Sequence, residues 1–246
     1  MKTQFIPVLL VVAASLHGYT QTVINKVIPV KGGQKIVMHF DYPQLIKVST
    51  WDKNEIAITG KVSINAGEND NAFILENSES GNVISIRSEI KDMKNLPRRY
   101  VVTRGEQKIV FKDKSDFKKY QTENPGAYNS LSMNVEIEIV LEVKVPKNMD
   151  TRVESVYGMV EITDFTGPLT VDATYGGVDA ALQEVSTGEL IAETNYGQIY
   201  TNLNLKFIGN KEEDFHTYVS AKPGKGPRYS FESKYGNVYI RKPEAK

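Results

Sequence analysis

Between residues 22 and 90, apolar and polar side chains alternate in short runs, at 23–30, 35–40, 45–50, 55–64, 73–76 and 83–90. Alternation with period two puts every second side chain on one face of a β-strand. Turn formers separate the runs: Gly32-Gly33, Tyr42-Pro43, Asp52-Lys53-Asn54, the stretch 66–70 and Ser80-Gly81-Asn82. This punctuation predicts an all-β chain, and no segment shows convincing helical periodicity. A longer run at 133–145 aligns Met133, Val135, Ile137, Ile139, Leu141, Val143 and Val145 on one face before Pro146-Lys147-Asn148 closes it.

The C-terminal half then repeats. Tyr157-Gly158, Tyr175-Gly176, Tyr196-Gly197 and Tyr235-Gly236 share one local frame, their tyrosines 18, 21 and 39 residues apart. An acid stands three residues before each tyrosine: Glu154, Asp172, Glu193 and Glu232. A small residue stands two before (Ser155, Ala173, Thr194, Ser233), and Val or Ile three after (Val160, Val178, Ile199, Val238). Each unit reads as a strand, a glycine corner and a second strand. Strand parity places Val153, Ser155 and Tyr157 together and Glu154 on the opposite face, so the tyrosines are expected as an inward ladder with the acids outside. Glycine at the corner suits a positive φ or a sharp bend. A period near 20 residues is the signature of a solenoid. With the handedness rule for parallel connections, the predicted fold is a single-chain right-handed parallel β-solenoid, β-helix-like, with coils of about 20 residues.

Four segments follow from these patterns. Residues 1–20 read as a signal peptide: Lys2, a short apolar run at 5–14, and a cleavage site at Gly18-Tyr19-Thr20. Residues 21–90 hold N-terminal strands and the first coils. Residues 91–131 form a charged insertion, and 132–246 hold the repeats, with a second insertion at about 202–228. The chain has no cysteine, which removes any disulfide framework or lipid-attachment cysteine. No second apolar stretch is long enough to span a bilayer, so no membrane span is expected in the mature chain.

The segment Val48-Ser49-Thr50-Trp51-Asp52-Lys53-Asn54-Glu55-Ile56, the strand end Leu141-Glu142-Val143-Lys144-Val145-Pro146-Lys147, and the serial Tyr-Gly-x-Val/Ile units together resemble the putative-adhesin family of bacterial envelope β-solenoids. The resemblance spans about 34–240 outside the two insertions. It implies a fold and a compartment, an exported protein of the bacterial periplasm or cell surface. The family is a domain of unknown function and offers no catalytic residues to carry over. The charged insertion departs from its compact pattern.

Charge marks two candidate sites. The acidic column Glu154, Asp172, Glu193 and Glu232 puts like charges on neighbouring strands about 4.8 Å apart, which asks for compensation. Three arrangements answer it: a solvated, salt-screened column relieved by Arg152 and Lys234, basic partners from the insertion, or calcium; no bound metal or cofactor is expected. Residues 91–119 carry ten Lys or Arg and four Asp or Glu, whereas 136–193 carry twelve acids and three bases. The insertion is therefore expected to pack over the acidic face. The alternative is an anion-binding arm centred on Arg98, Arg99 and Arg104. Tyr200 and Tyr239 have outward parity and are candidates for ligand contact.

Catalytic signatures are missing from the sequence. His39 and His216 sit in no nucleophile or zinc motif, and there is no phosphate loop, Gly-x-Ser-x-Gly or His-Glu-x-x-His. The expected function is a non-enzymatic, adhesin-like binding or structural role with an envelope glycan or protein partner, and no nucleic acid. The alternative is a polysaccharide-processing enzyme on a β-helix scaffold, using the acidic column with Arg98, Arg99 or Arg104.

Overall fold

The computed structural model describes residues 21–244, so the expected signal peptide at 1–20 lies outside the described residues. The chain opens with β1 (Thr22–Pro29), β2 (Lys35–Phe40), β3 (Leu45–Trp51), β4 (Glu55–Ile64), β5 (Phe73–Ser80) and β6 (Val83–Ile90). The charged insertion folds as β7 (Arg99–Arg104), β8 (Gln107–Phe111), helix α1 (Lys114–Glu123) and β9 (Ser130–Asn134). Next come β10 (Ile137–Pro146), β11 (Thr151–Ser155), β12 (Met159–Ile162), β13 (Leu169–Ala173), β14 (Val178–Ala181), β15 (Glu189–Thr194) and β16 (Ile199–Thr201). A hairpin of β17 (Phe207–Glu213) and β18 (His216–Ala221) precedes β19 (Arg228–Ser233) and β20 (Val238–Arg241).

Two large sheets result. The first runs β1-β4-β10-β3-β12-β14-β20-β16 and the second β17-β18-β15-β19-β13-β11-β2-β6-β5. Each Tyr-Gly corner carries the chain from the second sheet to the first, as in β11 to β12 or β19 to β20. Alternation does the rest: Met38, Phe40, Val153, Val171 and Phe231 from the second sheet join Ile46, Val48, Leu141, Val160 and Val238 from the first in one core.

The expected right-handed parallel β-solenoid with coils of about 20 residues does not form. Both large sheets are mixed. β4 pairs antiparallel with both β1 and β10, as do β5 with β6, β17 with β18 and β18 with β15. The repeat strands do pair in parallel, but out of chain order. β19 lies between β13 and β15, and β20 between β14 and β16. The hairpin β17–β18 takes the outer side of β15, and the last unit enters the stack one place earlier than its position in the chain. Spacing along the sequence defines a rung; it carries no information about which rungs touch.

The corner columns have specific causes. None of Gly158, Gly176, Gly197 and Gly236 takes a positive φ. Each sits where a Cβ would strike the carbonyl oxygen of the rung beneath: Pro43 for Gly158, Gly158 for Gly176, Gly176 for Gly236 and Gly236 for Gly197. Glycine is there so that backbones can nest. The small-residue column latches the same corners. Ser155 Oγ donates to Gly158 O at 2.8 Å, Ser233 Oγ to Gly176 O at 2.7 Å and Thr194 Oγ1 to Gly236 O at 2.9 Å. These hydroxyls also accept from the backbone N–H of Gly158, Gly236 and Gly197. A buried hydroxyl with donor and acceptor both used costs little to bury.

The insertion is an ordered unit, a three-stranded sheet β8-β7-β9 with α1 on it. Asp113 caps the helix by accepting from the backbone of Ser115 and Asp116. Phe117 packs among Tyr100, Phe111 and Tyr128. The second insertion, at about 202–228, contributes the β17–β18 hairpin.

Candidate functional site: an exposed aromatic edge beside an acidic row

Six rings stack in a continuous ladder along the corners, in the spatial order Tyr42, Tyr157, Tyr175, Tyr235, Tyr196, Phe215. Successive centroids lie 5.7, 5.3, 5.2, 5.1 and 5.4 Å apart. The expected inward placement is overturned, because Tyr157, Tyr175, Tyr196 and Tyr235 are 55, 56, 57 and 45% exposed. Strand parity holds only as far as Ser155 and its equivalents. The turn that follows swings the tyrosine into solvent, while the glycine after it goes inward. Backbone bonds at the corner fix the ring spacing: Tyr175 N–H donates to Val156 O at 2.8 Å, Tyr235 N–H to Thr174 O at 2.9 Å and Tyr196 N–H to Lys234 O at 3.0 Å.

Two members of the ladder escaped the sequence pattern. Tyr42 ends an earlier unit in which Pro43 replaces the glycine and His39 takes the acid position, in register with Glu154. Phe215 comes from the tip of the β17–β18 hairpin, where Asp214 adopts a φ of +48°. The available signal for Tyr42 was its spacing of three from His39. Phe215 had none.

The acidic column forms on the outer face of the second sheet. Strand registers place His39, Glu154, Asp172, Glu232 and Glu193 side by side in that order. Arg152 spans the first pair, with Nε 2.8 Å from Glu154 Oε1 and Nη2 2.6 Å from Asp172 Oδ2. The second contact is an ion pair without hydrogen-bond alignment, so Asp172 Oδ2 is a buried oxygen with no donor aimed at it. Both ends of the row carry a histidine. His39 Nδ1 lies 3.0 Å from Glu154 and its Nε2 2.8 Å from Asp41; His216 Nε2 lies 2.7 Å from Glu193.

The titration of the row follows from these contacts. Burial, with repulsion from Glu154 added and Arg152 opposing, raises the Asp172 carboxyl. Burial and then repulsion from Glu193 and Asp172 raise Glu232. The His39 hydrogen bond, aided by Arg152, lowers Glu154 against its burial. Burial alone lowers the His39 imidazole, but its bonds to Glu154 and Asp41 outweigh that and raise it. Compensation thus comes from Arg152 and the histidines. Lys234 instead stands over the Tyr235 ring at 5.5 Å. The insertion does not cover the acidic row: of its bases, Lys108 pairs with Glu136 at the start of the acidic stretch, and Lys112 and Arg99 pair with Glu68. Among the described residues no group of three or more His, Asp or Glu converges on a metal position.

The three arginines of the expected basic arm do not meet. Arg99 is 4% exposed, donates to Asn65 O and Lys112 O, and lies 2.8 Å from Glu68. It anchors the insertion to the first sheet's flank. Arg98 and Arg104 are exposed, and Arg104 stands at the far end of β7 on the opposite face from Arg99. Tyr200 and Tyr239 do come together, stacked at 5.2 Å, but on the outer face of the first sheet, away from the ladder.

No family model and no curated protein matches the chain. Two solved structures align with most of it. A putative cell adhesion protein from Clostridium sporogenes ATCC 15579 covers 91% of this chain and 100% of its own length, at 8% identity and a TM-score of 0.47. A putative adhesin from Bacteroides fragilis NCTC 9343 covers 92% and 99%, at 9% identity and a TM-score of 0.21. Both are adhesion proteins by name. At this distance neither superposition carries a role across.

Proposed function

We propose that this chain is an exported, non-enzymatic, adhesin-like binding protein of the bacterial envelope, and that the tyrosine edge is its contact surface. The observation that carries this is the exposure of the four repeat tyrosines at 45–57% in a continuous stack. A run of aromatic rings given to water is costly unless a partner covers it, and tyrosine is enriched where partners meet. Stacked neighbours and corner hydrogen bonds hold the rings in place, so little side-chain entropy is lost when a ligand docks. The pattern of residues 1–20 supports export. The enzyme alternative is disfavoured by the acidic row, whose carboxylates lie along a sheet face, with Glu154, Asp172 and Glu193 held by Arg152, His39 and His216.

Oxidative footprinting tests the reading. The protein is mixed with purified envelope fractions and labelled with hydroxyl radicals, and each tyrosine is followed by mass spectrometry. Tyr157, Tyr175, Tyr235 and Tyr196 are expected to be protected together, with Tyr128 unchanged as an exposed control. Binding that leaves the ladder fully reactive would place the contact surface elsewhere.

A further inference from the structure

Resting on the reading of the corner ladder as the binding edge, the structure also points to what it binds. Every inner ring has a neighbour on each face, so none can offer a face to a ligand. Phe215 ends the stack: one face lies on Tyr196 at 5.4 Å and the ring is 70% exposed. Its far face is open. A cleft of about 470 Å³ adjoins it, lined by Tyr196, Tyr235, Asn195, Lys234, Asp214 and His216 among others.

The chemistry around this ring is that of a sugar site. The face of an aromatic ring is its electronegative region, and it attracts the polarised C–H bonds on the flat side of a pyranose. Hydroxyl groups then need both acceptors and donors nearby. Asp214 supplies a carboxylate that forms no ion pair among the described residues, and Asn195 and Lys234 supply donors. Charge narrows the class further. Glu213 is held by Lys211 at 2.9 Å and Glu193 by His216 at 2.7 Å, which leaves one acid, Asp214, and one base, Lys234, in the lining and no net charge there. A uronate or other acidic sugar would meet Asp214 as well as Lys234, so the lining gives it no net attraction while Asp214 is in place.

We infer that the open face of Phe215 and the adjoining cleft form a subsite for a neutral pyranose of a glycan chain, with Asp214 and Asn195 meeting its hydroxyls. The hairpin β17–β18 then has a role beyond closing the sheet. It places an unstacked aromatic face at the end of the ladder, where a chain lying along the edge would terminate.

Saturation-transfer NMR and calorimetry with two probes, tetra-N-acetylchitotetraose and trigalacturonate, test this on the purified protein. The neutral tetramer is expected to bind, with the strongest transfer to the protons on one ring face. Phe215→Ala should weaken it about tenfold or more, about 1.4 kcal/mol, while Phe215→Trp retains it and both variants melt as the parent does. Asp214→Asn should let trigalacturonate bind where the parent does not. Tetramer binding indifferent to Phe215→Ala, or trigalacturonate bound by the parent as tightly as the tetramer, overturns the inference. If neither probe binds but envelope fractions still protect Tyr157 and Tyr175, the subsite fails and the binding edge stands. Loss of that protection as well removes both.

Discussion

Replacing Gly176 by alanine puts a methyl group against the backbone of the rung below. The added Cβ overlaps Gly158 O and lies 3.0 Å from Met159 N. These atoms belong to a paired corner and cannot rotate aside, so relief requires the rungs to part. Parting weakens two hydrogen bonds, Thr174 N–H to Ser155 O and Tyr175 N–H to Val156 O, both 2.8 Å long. Each contributes about 1 kcal/mol net. The Tyr157–Tyr175 stack at 5.3 Å contributes about 1 kcal/mol more. Alanine recovers about 0.5–1 kcal/mol by restricting the unfolded chain. The expected loss is therefore about 2–2.5 kcal/mol. Urea denaturation measures it, with Gly81→Ala as reference. Gly81 has a φ of +57° and nothing within 4 Å of its hypothetical Cβ, so its loss should be backbone strain alone, about 1 kcal/mol. If Gly176→Ala costs no more than Gly81→Ala, close nesting is not the reason for the glycine column.

Other substitutions separate structural charge from functional charge. Asp172→Asn should leave stability at neutral pH unchanged or slightly raised, because burial already disfavours the ionised carboxyl. With its folded value raised, the parent binds more protons folded than unfolded just above the ordinary carboxylate range, so stability falls as pH rises through that window; the Asn variant should show a shallower fall in a pH series of melts. His39 acts in the same direction, its share being fully present below its unfolded value near 6.5 and lost as pH rises through the raised folded value, so His39→Gln should flatten the melts between neutral and mildly alkaline pH. Arg99→Ala takes the guanidinium from the Lys112 carbonyl, from the Asn65 carbonyl (which keeps the Glu68 N–H) and from Glu68, and should cost about 2 kcal/mol, with proteolysis beginning in the insertion and not in the repeats.

The sequence revealed the rungs and not their arrangement. Every strand of the four repeats was legible from period-two alternation, and so was the acidic row, because both depend only on side-chain parity within a strand. Parity puts the tyrosines on the wrong side because it does not carry through a corner, where Val156 and Tyr157 no longer obey it. Stack order was invisible, since the unit at Tyr235 and the unit at Tyr175 are neighbours only after the chain has made the β17–β18 hairpin. Helix α1 gave no signal because Phe117 is its one buried residue and, apart from Tyr120 against Phe111, the remainder is polar. Arg99 looked like surface charge within a basic run; only the fold brings Asn65 and Glu68 to it. His216 and Phe215 reach the site by that same hairpin, 23 residues beyond Glu193.

Co-sedimentation of the protein with purified envelope polysaccharide, followed by sizing of the glycan, tests the binding edge most directly when the parent is compared with Tyr157→Ser/Tyr235→Ser. These substitutions break the stack in two places at exposed positions and leave the acidic row and the glycine corners in place. An adhesin-like edge predicts that the parent sediments with the polysaccharide, the double variant stays in the supernatant, and glycan length is the same before and after. Retention of the double variant at the parent's level, or a shortened glycan in the parent sample, would contradict it.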